Sequence, residues 1–205
     1  GQIVDRYGKD NSEYPTLGGL IRRLHAIDGI ERIRFLTSHP NYMTLELLDT
    51  VAEFPKVMPH IEVPIQGGND QVLENMRRGY SNSQYRELVA QIREKIPGVS
   101  IATDIIVGFP GETERQFQDT YDLLADLKLD VAHLARYSPR EGTVSARRMV
   151  DDVPDEEKWH RFRTLEDLQS SIAEEIHATY LHRTVPVLFE EMSKKGRWRG
   201  RTETN

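Results

Sequence analysis

The feature that narrows the fold most is a hydrophobic period that switches back and forth along the chain. Leu17, Leu20, Ile21, Leu24 and Ile27 recur at helical spacing, and Asp28-Gly29 supplies turn residues at their end. A strand is predicted at 32–37 and a second amphipathic helix through Leu45, Leu48, Val51 and Ala52. Ile61, Val63 and Ile65 then alternate with His60, Glu62, Pro64 and Gln66 at period two. Ser81 with Gln84 and Thr113 with Gln116 carry the spacing of a capping box. The first opens a helix through Tyr85, Leu88, Val89, Ile92 and Ile96, the second one through Phe117, Tyr121, Leu124 and Leu127. Predicted strands follow them at 99–107 and 131–137. A long helix is expected from about 154, with the stripe Trp159, Phe162, Leu165, Leu168, Ile172, Ile176 and Tyr180 as core. Beyond Arg183 the texture changes to a hairpin pattern, 185–190 pairing with 198–204 around a turn at 194–196.

Strands spaced about 30 to 40 residues apart with helices between them imply right-handed crossovers and a parallel sheet, doubly wound or barrel. The strand interiors choose between the two. With Ile61, Val63 and Ile65 on the helix side, His60, Glu62 and Gln66 point the other way, as Asp104 does opposite Ile101, Ile105 and Val107. A doubly wound sheet is covered and apolar on both faces, so a polar face favours an open barrel with something bound inside. The inward-polar set is Arg34, His60, Glu62, Gln66, Asp104 and Arg136.

Composition removes several chemistries. The 205 residues carry 27 Lys plus Arg against 33 Asp plus Glu, a net charge of −6, with 38% hydrophobic residues, which is enough to bury a core. Zero cysteines exclude disulfides, thiol nucleophiles, thiolate zinc sites and any iron-sulfur cluster held by these residues. The longest apolar run, near Ile105, is far short of the ~20 residues of a membrane span, and no leader opens the sequence, so a soluble, cytoplasmic protein is expected. Overall acidity coexists with a basic end in which Lys194, Lys195, Arg197, Arg199 and Arg201 surround Trp198, a pattern suited to nucleic-acid phosphates and bases.

In parallel α/β folds the ligand lies past the carboxyl ends of the strands. Those ends read Thr37-Ser38-His39-Pro40, Gln66-Gly67-Gly68-Asn69, Val107-Gly108-Phe109-Pro110-Gly111-Glu112 and Tyr137-Ser138-Pro139-Arg140-Glu141-Gly142-Thr143. Each alone is a strand-to-helix turn; four on one rim make a pocket. Gly67, Gly68, Gly108 and Gly111 are expected to let backbone amides approach a ligand. Asp104 is the sharpest residue, a carboxylate in an apolar run, for which a structural ion pair with Arg34 or Arg136 is the simpler account and ligand contact the other. His60, Glu62 and His133 raise a separate alternative, a metal-dependent barrel hydrolase. A plain RNA-binding module without chemistry is a further one, motivated by the basic end.

Several strings resemble the radical S-adenosylmethionine methylthiotransferases. They are 1–8 (Gly1-Gln2-Ile3-Val4-Asp5-Arg6-Tyr7-Gly8), 32–40, Val63-Pro64-Ile65-Gln66-Gly67-Gly68, the stretch from Thr103 to Glu114, 137–143, and the terminal run from Ser193 to Asn205. The match is collinear over nearly the whole chain, and the twelve residues around Asp104 are its most specific part. The resemblance implies an α/β fold, a partial (β/α) TIM-like barrel of the radical SAM type over 1–184, entered at the end of its second strand, followed at 185–205 by the first strands of the RNA-binding β-module called TRAM. In that family a CxxxCxxC loop holds a 4Fe-4S cluster that cleaves S-adenosylmethionine to a 5′-deoxyadenosyl radical, and a separate domain holds a second 4Fe-4S cluster. This sequence has neither cysteine set, so the resemblance implies a fragment that binds no cluster and does not turn over alone.

The terminal Gly-Arg-Thr-Glu-Thr-Asn string and the basic run are most similar to the tRNA branch, which methylthiolates an N6-modified adenosine beside the anticodon. The implied partners are the tRNA anticodon stem-loop and an electron donor for cluster reduction, with no membrane. The resemblance places S-adenosylmethionine contacts at Ser38, Gln66, Asp104, Gly108 and Arg136, and RNA contacts at Lys194, Lys195, Arg197, Trp198, Arg199 and Arg201, with no metal ligand in the chain. Ile3 stands where the family pattern often has Asn, Gly67 and Gly68 replace a common Ser-Gly pair, and Glu62 stands where the tRNA branch usually has His. An acidic residue at Glu62 is the pattern of the branch acting on a ribosomal-protein aspartate, which is the alternative substrate.

Overall fold

The computed structural model describes residues 4–8 and 16–204. Gly1, Gln2 and Ile3 of the opening string, and the terminal Asn205, lie outside the described residues.

Two short helices come first. Helix α1 (Leu17–His25) is capped by the Thr16 hydroxyl, which accepts from Gly19 N at 3.0 Å, and α2 (Leu45–Glu53) by Thr44, which accepts from Leu47 N at 3.2 Å. Their apolar stripes bury Leu17, Ile21, Leu47, Leu48 and Val51. Three parallel strands follow, β1 (His60–Glu62), β2 (Ser100–Val107) and β3 (Val131–Arg136), in the order in which the chain visits them. Helices α3 (Asp70–Asn75) and α4 (Asn82–Lys95) form the first crossover and α5 (Glu114–Leu127) the second. Both capping boxes form as their spacing predicts: Ser81 with Gln84 starts α4 and Thr113 with Gln116 starts α5. Helix α6 (Val144–Arg148) leads to α7 (Asp155–Ala178), which covers β3, and the antiparallel pair β4 (Leu188–Met192) and β5 (Trp198–Arg201) completes the chain.

Two expected strands come out differently. Residues 32–38 form one bridge, Ile33 to Val57, rather than a ladder, with a further contact where Ser38 N donates to Glu62 O at 3.1 Å. Arg32 and Arg34 are drawn instead to the chain's end, donating to the carbonyls of Arg201, Thr202 and Glu203 at 2.6 to 3.0 Å. The second strand stops at Glu62 because Pro64 has no N–H to give to the ladder. Side chains replace the missing bonds: Tyr85 donates to Val63 O at 2.9 Å, Tyr80 to Ile65 O at 2.9 Å, and Thr103 Oγ1 accepts from Ile65 N at 3.0 Å. The extra residue shifts the register, so Ile61 pairs with Ile101 while Gln66, not Ile65, pairs with Ile105.

The core lies between the sheet and its helices. Ile61, Val63, Ile65, Ile101, Ile105 and Val107 are fully buried there against Tyr85, Ile92, Leu123, Leu124 and Leu165. The α7 stripe departs from its reading in the first turns. Lys158 and Arg161 face inward while Trp159 is 42% exposed, because the helix side carries two acids that these cations meet.

Candidate functional site

The sheet has one face covered by helices and one that is not. Registered residues of neighbouring parallel strands share a face, so His60 with Ser100, Glu62 with Ala102, and Asp104 with His133 line the uncovered face. At its upper edge the chain makes two left-handed turns at non-glycine residues, Thr37 (φ 65°) and Gln66 (φ 80°). Each such residue costs on the order of 1 kcal/mol, and such conformations persist where the surroundings dictate them, often at sites. Gln66 is buried and fixed on both sides of its peptide, its N–H donating to Asp104 O at 2.8 Å and its carbonyl accepting from Ile106 N at 3.0 Å. Beside it Ser38 is buried, and its hydroxyl has no hydrogen-bond partner among the described residues. A buried orphan hydroxyl at a rim is a free donor and acceptor for something polar.

The charges of this face lack counter-ions. Glu62, Asp104 and His133 make no hydrogen bond or ion pair through their side chains among the described residues. The structural ion pair that the sequence offered for Asp104 does not form. Arg34 is spent on the terminal carbonyls, and Arg136, which is in register with Val107 and so on the helix side, lies 3.7 Å from the Trp159 ring. Burial pushes the Glu62 carboxyl above its usual range, with Asp104's charge adding to the rise and His133 opposing it. Burial also holds His60 below the ordinary imidazole value, helped by the Arg34 charge. His60 faces Ser100 Oγ at 3.2 Å. His60, Glu62 and His133 share the face, but no three His, Asp or Glu among the described residues form a group that could hold a metal ion.

Of the five residues matched to cofactor contacts, Asp104 stands on this face and Ser38 and Gln66 lie at its edge, tied by backbone bonds to Glu62 and Asp104. Gln66, in register with Ile105, and Arg136, in register with Val107, fall on the helix side, where Gly108 also packs, so the inward placement expected for Gln66 and Arg136 is corrected. Two of the glycines, Gly68 and Gly108, serve internal packing. Gly108 (φ +70°) gives its N–H to Glu112 Oε2 at 2.6 Å, and a Cβ there would stand 2.3 Å from Lys158 Cγ. Gly68 gives its N–H to Thr120 Oγ1 at 2.9 Å, where a Cβ would meet the α5 backbone at 2.5 Å. Gly111 N is taken by Asp152 Oδ1 at 2.7 Å. The expectation of amides free for a ligand is therefore corrected at Gly68, Gly108 and Gly111, whose N–H groups are taken by Thr120, Glu112 and Asp152.

Glu112 is the residue that sequence reasoning passed over as part of a turn. It is buried and meets Arg161 Nη1 at 2.9 Å, while burial raises its carboxyl against the pull of Gly108 N–H and Arg161. Arg161 also holds Glu157 at 2.8 Å, and Lys158, 2% exposed, meets both oxygens of Asp151 at 2.6 and 2.7 Å. Lys158 and Arg161 continue the spacing of Leu165, Leu168 and Ile172, and two cations on an apolar stripe were the available signal.

The basic end stands on the β4–β5 hairpin. Lys194, Lys195, Arg197, Trp198, Arg199 and Arg201 are all exposed. Cross-strand acids offset part of the charge, Arg199 meeting Glu191 at 3.2 Å and Arg201 meeting Glu190 at 3.3 Å. Among the described residues no helix is long and apolar enough to cross a membrane.

Comparison with known proteins fits this geometry. The family model of the radical SAM superfamily matches residues 7–124. Among curated proteins, the tRNA-2-methylthio-N(6)-dimethylallyladenosine synthase of Dehalococcoides mccartyi (strain CBDB1) is 48% identical over 202 residues, 98% of this chain and 48% of the relative. The protein of the same name from Roseiflexus sp. (strain RS-1) is 50% identical over 208 aligned positions, 100% of this chain and 44% of the relative. The chain thus spans about half the length of the curated relatives it matches. Among solved structures, coproporphyrinogen III oxidase from Escherichia coli, a radical SAM enzyme, superposes with a TM-score of 0.58 at 19% identity, covering 69% of this chain and 32% of that one, which is a likeness of fold.

Proposed function

Because this chain belongs to the radical SAM superfamily, we propose that it is a segment of a cytoplasmic enzyme that methylthiolates an N6-modified adenosine next to the anticodon of tRNA. The observation that carries the reading is 48–50% identity along essentially the whole chain to relatives named for that product. The three parallel strands in chain order fit part of a (β/α) barrel, and β4 with β5 fit the first strands of a TRAM module beginning near 185.

No thiolate is present for an iron-sulfur cluster, so none fits within these residues, and the chain by itself is expected not to turn over. S-adenosylmethionine does fit. The orphan Ser38 hydroxyl and the unpaired Glu62 and Asp104 carboxylates supply acceptors for its ribose hydroxyls and ammonium group along one face, with Gln66 fixing the rim between them. When bound to a reduced cluster outside this chain, the cofactor supplies the radical chemistry; the residues here bind, orient and shield it. Gly108 and Arg136 act from behind, shaping the rim through Glu112 and Trp159. The anticodon stem-loop is held by the exposed hairpin cations, and electrons come from a separate donor. The test is mass spectrometry of tRNA nucleosides after incubation with the full-length protein carrying reconstituted, reduced clusters. Appearance of the 2-methylthio product is expected, and unmodified tRNA defeats the reading.

A further inference from the structure

A second arginine-rich region lies at the end of the sheet opposite the hairpin's terminal tail. A cavity of about 690 Å³ opens between the turn after α3, the carboxyl ends of β2 and β3, and α6. Arg77, Arg78, Arg136, Arg140 and Arg148 line it, and no carboxylate does. None of the five has an ion-pair partner among the described residues, whereas Arg22, Arg86, Arg161, Arg199 and Arg201 all do. In a chain where acids outnumber cations, five unpaired guanidiniums around one cavity are a concentration of charge that folding itself would disfavour.

The backbone shows that the side chains are wanted there. Helix α3 ends in a Schellman motif, with Arg77 N donating to Glu74 O at 2.8 Å and Arg78 N to Leu73 O at 3.0 Å. The left-handed position of that motif normally belongs to glycine, yet Arg77 occupies it at φ 57°. A cation near a helix carboxyl end gains a little from the dipole, but six residues of helix do not call for two arginines with one of them strained. Arg78 Nε is buried without an acceptor among the described residues. Tyr137 also lines the cavity, half-buried and braced edge to face at 5.2 Å by the buried Phe109 ring, and offers an aromatic surface between the guanidiniums.

We propose that this cleft grips the sugar-phosphate backbone of the RNA substrate, its arginines taking successive phosphates in bidentate fashion and Tyr137 stacking on an unpaired base. The proposal rests on the tRNA reading above and adds to it a second contact site, at the opposite end of the sheet from the hairpin's tail.

The test is anisotropy titration of a fluorescent anticodon-type RNA hairpin with the full-length, cluster-loaded protein over a series of salt concentrations. The triple variant Arg77→Gln/Arg78→Gln/Arg148→Gln is expected to bind at least about tenfold more weakly, with the slope of log K against log salt shallower by about 2, since each lost phosphate contact removes ~0.7–0.9. The matching triple Lys variant keeps the charge and is expected to keep most of the slope, and thermal melts of both report on folding. If the Gln variant retains the unaltered protein's affinity and slope while Lys194→Gln/Lys195→Gln/Arg197→Gln loses them, the cleft assignment falls and the tRNA reading stands. If the Lys variant loses as much slope as the Gln variant, the arginines act structurally and the proposal falls. If the unaltered protein prefers the hairpin no more than an unrelated RNA, the tRNA reading itself falls.

Discussion

The two faces of the sheet treat charge in opposite ways. On the helix side every buried charged group has a counter-ion at hydrogen-bond distance, Arg161 with Glu112 at 2.9 Å and Lys158 with Asp151 at 2.6 Å. On the uncovered side Glu62, Asp104 and His133 stand without one among the described residues, and Ser38 Oγ is unpartnered. The same side-chain types thus do two jobs. On the helix side the paired charges fasten a loop to a helix, although Glu112 Oε1 is itself left without a hydrogen-bond partner among the described residues. On the uncovered side the half-buried Glu62 and Asp104 and the exposed His133 are open to other partners.

The largest expected effect lies on the fastened side. Arg161→Met strands the Glu112 carboxylate in the interior, and a buried charge that loses its partner costs about 3–5 kcal/mol. Chemical denaturation should show that loss, and adding Glu112→Gln should recover a good part of it. A cost under about 1 kcal/mol for the single change would erase the distinction between the faces. Next comes Gly108→Ala, which puts a Cβ 2.3 Å from Lys158 Cγ at a φ of +70°. Lys158 is pinned by Asp151 and cannot yield freely, so a loss of about 1–3 kcal/mol is expected, roughly 2–12 °C in the melting temperature.

A smaller effect separates the sheet's lower end. Burial holds His60 below its unfolded value, so the unfolded chain takes up a proton that the folded one refuses. Stability should therefore rise with pH through the window below about 6.5 and level off above it. His60→Gln should flatten that rise in melts recorded across the window. A slope of the same size in the variant would place its origin elsewhere.

How much of this was legible beforehand follows from what each signal encodes. Both capping boxes and the alternating strands and helices were readable, because local hydrogen bonding and burial periodicity are written in neighbouring residues. The polar face was readable for His60, Glu62 and Asp104 from period two alone. Arg136 was not, since its orientation depends on Trp159 of a helix that arrives later in the chain. The strand at 32–37 failed for a similar reason: Arg32 and Arg34 are claimed by carbonyls about 170 residues away. Glycines at the rim were misjudged because sequence shows a missing Cβ without showing what fills its place, and at Gly108 that is Lys158. Kinship to a known family supplied the ligand, which spacing by itself left open between an organic cofactor and a metal.

The smallest expected change in stability is at Asp104, and its smallness is what sharpens the contrast between the faces. Because Asp104 makes no ion pair among the described residues, Asp104→Asn breaks nothing that folding uses, and stability should stay within about 0.5 kcal/mol. The substitution also removes a negative charge that helps to raise the Glu62 carboxyl. Glu62 should then titrate closer to the ordinary carboxylate range, a shift that carboxyl-resolved NMR can follow. The sign for stability follows from the raised value: the folded state holds a proton at Glu62 that the unfolded chain has released, so folding weakens as pH climbs through that range, and the variant should weaken less. Asn at this position should meanwhile lower affinity for S-adenosylmethionine in the cluster-loaded, full-length protein, measured by calorimetry. Large destabilisation by Asp104→Asn, or an unmoved Glu62 titration, would mean that the open face is wired together as tightly as the covered one.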